Sequence, residues 1–188
     1  MGTHDIPAAS PDRRSGPGLL VVAGAGLIGS RLADMARDSG WKIRILHRSG
    51  PGRAPREGLE VDASGREHAW WAPAEHLLAP GTLEGARAVV CLSGAPIAPR
   101  PWTPARRRVL AASRLSTTAL IARVAAGLPP AVRPEVLLSG SATGFYGNRG
   151  DEILTETCGP GEGFLSELCQ RWEAAAGPAA RVGLRTVQ

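Results

Sequence analysis

"LLVVAGAGLIGSRLADMARDSG", residues 19–40, decides how this chain folds. Five apolar residues, 19–23, run into a glycine-rich turn; an amphipathic pattern starts at Leu27, and Gly40 stands where a helix would stop. Gly24, Gly26 and Gly29 fall in the G-x-G-x-x-G spacing. The first glycine permits the tight turn, and the second lets the main chain approach a pyrophosphate. The third lets the helix pack close to the strand, with the phosphates resting on the helix N-terminus. Glycine-rich turns also occur for purely structural reasons. A strand before the turn and a helix after it are the context that a dinucleotide site requires. Leu27 and Ile28, inside the same motif, are counted with the glycines as cofactor-binding residues.

Outward from the turn, apolar runs alternate with helical patterns. Strands are expected at 19–24, 42–47, 87–93, 135–140 and 181–187, with a weaker one at 66–71; helices are expected at 27–39, 103–126 and 162–176. That alternation predicts an α/β fold, a Rossmann-type doubly wound parallel sheet. Residues 1–18 read as a disordered leader, residues 19–188 as the NAD(P)-binding domain, and 49–58 as a Pro/Gly/Arg loop. Thr103 is the expected N-cap of the long helix and Pro104 its first residue. Val109, Leu110, Leu120, Ile121 and Val124 are its expected packed face.

Composition narrows the function classes. The chain has 188 residues, 43% of them hydrophobic, which suits a globular protein with a full core. No continuous apolar run approaches the roughly 20 residues that cross a bilayer, and no secretory pattern opens the chain. The expectation is a cytoplasmic protein with no membrane partner. The net charge is +5, yet Lys42 is the only lysine among 22 basic residues. With so much Ala, Gly and Pro, this reads as the codon usage of a GC-rich genome rather than selection for phosphate binding. Only Arg106–Arg108 is a dense cluster, so no nucleic-acid partner is expected. Cys91, Cys158 and Cys169 form neither a zinc pattern nor a disulfide framework. Reduced, structural thiols and no metal site are expected.

The end of the second strand selects between dinucleotides. An NAD-preferring site normally carries Asp or Glu there, accepting from the ribose 2′-hydroxyl. Here the residues are His47, Arg48 and Ser49, with no acid. A guanidinium at Arg48 would pair with a 2′-phosphate, which favours NADP(H) over NAD(H); a solvated strand-end arginine is the alternative.

Further segments fall in a consistent order: "LEGARAVVCLSGAPIA" (83–98), "WTPARRRVLAASRLSTTAL" (102–120), "VLLSGSATGFYGNRGDEILTE" (136–156) and "GFLSELCQRWEAAA" (163–176). With the opening turn they resemble the epimerase-like branch of the atypical or extended short-chain dehydrogenase/reductases, over residues 19 to about 186. The Ser-Arg-x-x-Thr-Thr and Trp-Glu-Ala-Ala-Ala pieces are not general Rossmann features. The resemblance implies an NADP(H)-dependent epimerase or oxidoreductase, acting on an unknown carbonyl or sugar-nucleotide-like substrate. It implies that Leu92, Ser93 and Gly94 form the cofactor-facing loop after the fourth strand, and that Ser141 polarises a substrate carbonyl or hydroxyl. Ser139 and Tyr146 are further expected cofactor contacts, Tyr146 alternatively meeting substrate; strand-end capping is the alternative for Ser139 and Ser141, and packing for Tyr146.

The sequence departs from the family at the catalytic Tyr-x-x-x-Lys, in which a phenolate acts as base. The matching helix has neither residue and offers Cys169, Trp172 and Glu173 instead. A proton acceptor at Cys169 or Glu173 competes with a buried thiol and a helix-surface carboxylate. The chain also ends at Gln188 within the expected sixth strand, so the C-terminal substrate region is expected to be missing and turnover low. An exposed strand edge there would favour homo-oligomers. A non-catalytic dinucleotide-binding regulatory module is the alternative to an enzyme.

Overall fold

The structure, a computed structural model, describes residues 16–50, 52–98 and 101–188. Most of the expected leader lies outside them. Six strands form a parallel sheet: β1 (Leu19–Ala23), β2 (Lys42–Arg48), β4 (Glu67–Ala72), β6 (Ala86–Cys91), β7 (Val136–Ser139) and β8 (Arg185–Val187). Two short strands, β3 (Glu60–Val61) and β5 (Leu77–Leu78), pair antiparallel with β4. The order across the parallel strands is β4-β2-β1-β6-β7-β8. The chain therefore winds outward from β1 in one direction and then in the other. The reversal lies between β1 and β6, and a doubly wound sheet binds ligands beyond the strand ends at that point. This is the Rossmann arrangement.

Helices cover both faces. Helix α1 (Leu27–Asp38) packs through Ala33 on a cluster containing Leu20, Val22, Ile43, Ile45 and Val90. Helix α2 (Pro104–Gly127) lies on the opposite face, where Leu120, Ile121 and Ala125 meet Val21, Leu46, Trp71, Val89 and Leu137. The two clusters take alternate residues of β1, as the two-residue repeat of a strand requires. Helix α2 is long and apolar enough to cross a membrane by length and composition. Its apolar residues are instead the sheet's cover, and it is a core helix. Thr103 caps it as expected, its side chain accepting from the Arg106 amide.

Local chemistry moves some boundaries. Strand β1 stops at Ala23 because Gly24 turns to a φ of 104°. The helix expected over 162–176 is α3 (Phe164–Ala174), and a further short helix not expected from the sequence, α4 (Gly177–Arg181), follows it with a proline in its first turn. Residues 181–184, expected to open the last strand, finish α4 and its following turn, where Leu184 is buried. Val109 is not part of the packed face of α2: it is 49% exposed, because the N-terminal half of α2 overhangs a cleft rather than the sheet. Val124 only borders the core.

Beneath β2, Arg44 is buried at the β2–β4 junction. It forms an ion pair with Glu67 and donates to the carbonyls of Gly81 and Thr82 at 3.0 and 2.7 Å. A buried guanidinium needs this many partners to offset its lost hydration. It locks β4 to the loop before β6 and so fixes the strand ends above it.

Candidate functional site

The three glycines do three separate things. At Gly24 a Cβ would stand 2.6 Å from the carbonyl carbon of Leu92 and the amide nitrogen of Ser93, so the turns after β1 and β6 touch main chain to main chain. At Gly29 it would stand 2.2 Å from the Gly24 carbonyl oxygen, which holds α1 hard against the turn. At Gly26 it would meet nothing within 4 Å, although this residue caps α1 and its backbone is extended. Two glycines are thus required by the fold, and the third leaves room over the start of a helix.

That room opens into a cleft of about 450 Å³, walled by the glycine turn, the ends of β2 and β4, the loop after β6 and the overhang of α2. Gly24, Gly26, Arg48, Leu92, Ser93 and Gly94 all line it. Leu27 and Ile28 do not: they are 92% and 71% exposed at the outer start of α1. Helix α2 holds the β6 loop in place. Ser113 Oγ accepts from the Ala95 amide at 2.9 Å, and Arg114 donates to the Ala95 carbonyl at 3.1 Å. Thr118 Oγ1 accepts from the Trp172 indole at 3.0 Å, tying α2 to α3. The Ser-Arg-x-x-Thr-Thr and Trp-Glu pieces of the sequence are therefore one tertiary unit.

One feature at the cleft's far end calls for an anionic ligand. Among the described residues the guanidinium of Arg48 makes only one long hydrogen bond, to the Ser113 carbonyl at 3.4 Å. Trp71 is fully buried in the wall, where its indole N–H has no partner among the described residues and is closed to the cleft. A cradle that a Cβ would fill, a helix N-terminus and an under-used cation together fit an elongated anionic ligand such as a dinucleotide.

Ser141 and Tyr146 lie elsewhere. They line a second cavity of about 380 Å³ with Thr143, Phe145, Glu156, Glu173 and Gln188. Ser139 lines neither cavity; it is buried, and its hydroxyl donates to the Gly140 carbonyl at 3.3 Å. Glu173 corrects the expectation of a plain surface carboxylate: its Oε1 accepts from Ser141 Oγ at 2.5 Å, across 32 residues of sequence. Cys169 is buried on the same helix, and burial, followed by the charge of Glu173, raises its pKa. It stays a neutral thiol. Cys91 is fully buried beside Thr118 in the core, and burial raises its pKa too.

His47, which carries no assigned role in the sequence, lines the cleft beside Arg48. Its Nε2 lies 2.7 Å from His68 Nδ1, and His68 Nε2 lies 3.0 Å from Asp62 Oδ2. The signal was a two-residue alternation: register pairs His47 with Trp70 on β4 and leaves His68 on the same face.

No family profile matches the chain. An epimerase family protein of Mycobacterium tuberculosis is 34% identical over 170 residues, 90% of this chain and 51% of that protein. The chloroplastic epimerase family protein SDR39U1 homolog of Arabidopsis thaliana is 29% identical over 167 residues, covering 89% and 46%. Among solved structures, a nucleoside-diphosphate sugar epimerase from Corynebacterium glutamicum superposes with a TM-score of 0.71 at 30% identity, over 91% of this chain and 33% of that one. The human epimerase family protein SDR39U1, solved with NADPH, superposes at 0.65 and 25% identity, over 84% and 48%. The chain spans about half the length of the curated relatives it matches.

Proposed function

We propose, from the premise that the chain's sequence and fold match the epimerase-like branch of the extended short-chain dehydrogenase/reductases, that this is the nicotinamide-dinucleotide-binding part of an epimerase or oxidoreductase, with NADP(H) preferred over NAD(H). The observation that carries the reading is the open space over Gly26, set between two glycines that the fold itself closes. The pyrophosphate would rest there on the first amides of α1. Arg48, with one long hydrogen bond of its own, would meet the ribose 2′-phosphate. A relative solved with NADPH supports the choice of phosphate.

The bound nicotinamide supplies the hydride donor or acceptor; the residues around the second cavity manage the proton. Ser141 Oγ, already donating to Glu173, would take the proton of a substrate hydroxyl as its own passes to the carboxylate. In the reverse direction the pair returns a proton to a carbonyl oxygen. A carboxylate reached through a serine thus stands in for the missing Tyr-x-x-x-Lys, and a carbonyl or sugar-nucleotide-like compound is the substrate class. Calorimetric titration with NADP⁺ and NAD⁺ tests the cofactor reading. Tighter binding of NADP⁺ is expected, and no heat with either dinucleotide would overturn it.

A further inference from the structure

The chain Asp62–His68–His47 ends in the cleft, and its hydrogen bonds leave little freedom in where the protons sit. Asp62 is held ionised well below the usual carboxylate range, first by the Ser64 hydroxyl and then by His68. An ionised carboxylate only accepts, so the proton of a neutral His68 is on Nε2. His68 Nδ1 is then bare, and the 2.7 Å contact requires His47 Nε2 to donate. His47 Nδ1 is left as an acceptor, with no protein partner among the described residues. One added proton reverses this, whichever ring takes it. On His47, Nδ1 becomes N–H directly. On His68, that ring donates to His47 Nε2 and pushes the His47 proton onto Nδ1.

This nitrogen belongs to a residue lining the cleft at the end of β2, where a dinucleotide-binding sheet reads the ribose 2′-substituent. We propose that Asp62 and His68 set the hydrogen-bonding character of His47, so that the neutral pair accepts from a ribose 2′-hydroxyl and the singly protonated pair joins Arg48 in donating to a ribose 2′-phosphate. The proposal rests on the dinucleotide reading above and adds a second specificity residue to it. Asp62 and His68 are positioning residues that act through His47.

The surroundings of His47 favour its neutral ring. Burial and then the neighbouring His68 lower the His47 pKa, and Glu60 on β3 opposes them. Behind His68, Asp62 also accepts from Ser64 Oγ and the Arg66 amide, while Arg66 pairs with Asp34 of α1. Trp70 lies beside His47 at 5.8 Å between ring centroids, and the Arg56 guanidinium sits over the Trp70 ring at 5.1 Å. Arg48 is the chain neighbour, and the glycine turn brings no titratable group. A dianionic 2′-phosphate is the element that would draw the extra proton in.

The test measures NAD⁺ and NADP⁺ dissociation constants by calorimetry between about pH 8 and pH 5.5, for the full chain and for His47→Gln, whose side chain does not titrate. The phosphate's own ionisation affects both proteins alike. The preference for NADP⁺ over NAD⁺ should rise about tenfold more in the wild type than in the variant as pH falls, the effect of one added charge-assisted bond. Parallel pH profiles would overturn the proposal while leaving the dinucleotide reading intact; no binding of either nucleotide at any pH overturns both. Imidazole ¹⁵N spectra of the unliganded wild type give a check that needs no variant. The His47 proton is expected on Nε2 at about pH 8, and finding it on Nδ1 refutes the relay.

Discussion

Gly26→Val separates the ligand's needs from the fold's. The backbone of Gly26 has a φ of −77°, open to any L-residue, and its Cβ position meets nothing within 4 Å. Replacing glycine where the backbone permits it stabilises by about 0.4–1 kcal/mol through the unfolded chain. Losing glycine for an apolar residue at an N-cap costs up to about 1 kcal/mol. These nearly cancel, so Tm should move by no more than about 2–4 °C for a chain of this size. Binding should not survive. A branched side chain in the one open place would displace the pyrophosphate from at least two helix-start amides, each charge-assisted bond contributing about 1.5–3 kcal/mol. The sum, about 3–6 kcal/mol, is a loss of roughly 10²–10⁴-fold in affinity. Gly29→Ala is the comparison: its Cβ would lie 2.2 Å from the Gly24 carbonyl oxygen, backbone against backbone, and Tm should fall clearly. Thermal melts and NADP⁺ calorimetry on both variants decide the matter. A folded Gly26→Val protein with wild-type affinity would refute the reasoning.

Arg48→Glu should weaken NADP⁺ binding by roughly 10–150-fold while leaving NAD⁺ binding nearly unchanged, because only the 2′-phosphate meets the lost charge; equal loss for both by calorimetry would remove Arg48 from the site. Arg44→Met should destabilise the chain by about 2–3 kcal/mol in urea, below the range for a fully buried pair because Glu67 is 27% exposed and water partly solvates it. His47 has a folded-state pKa below its unfolded value, so its contribution to stability is present above about pH 6.5 and is lost as pH falls through the folded pKa. Over that window the wild type should lose more stability than His47→Gln, and identical slopes would show that burial does not act on this ring.

Local pattern alone was enough to read the fold and the front of the cleft. A strand, three glycines at fixed spacing and an amphipathic helix are local patterns, and the strand–helix alternation that follows admits few sheet orders. Arg48 was legible because its place at a strand end follows from the glycine motif. The rest depended on contacts that local pattern does not encode. Val109 fits the helical apolar spacing yet overhangs the cleft, and Leu27 and Ile28 sit inside the motif yet face away from it. Glu173 looks like any polar residue on a helix surface; only the packing of α3 beside the end of β7 brings it to Ser141. His47, His68 and Asp62 are 21 and 6 residues apart along the chain, and the parallel pairing of β2 with β4 and the antiparallel pairing of β3 with β4 make them one hydrogen-bonded row. Strand register is set by which faces are buried across the whole sheet, so a relay that depends on register exists only once the tertiary fold has chosen it.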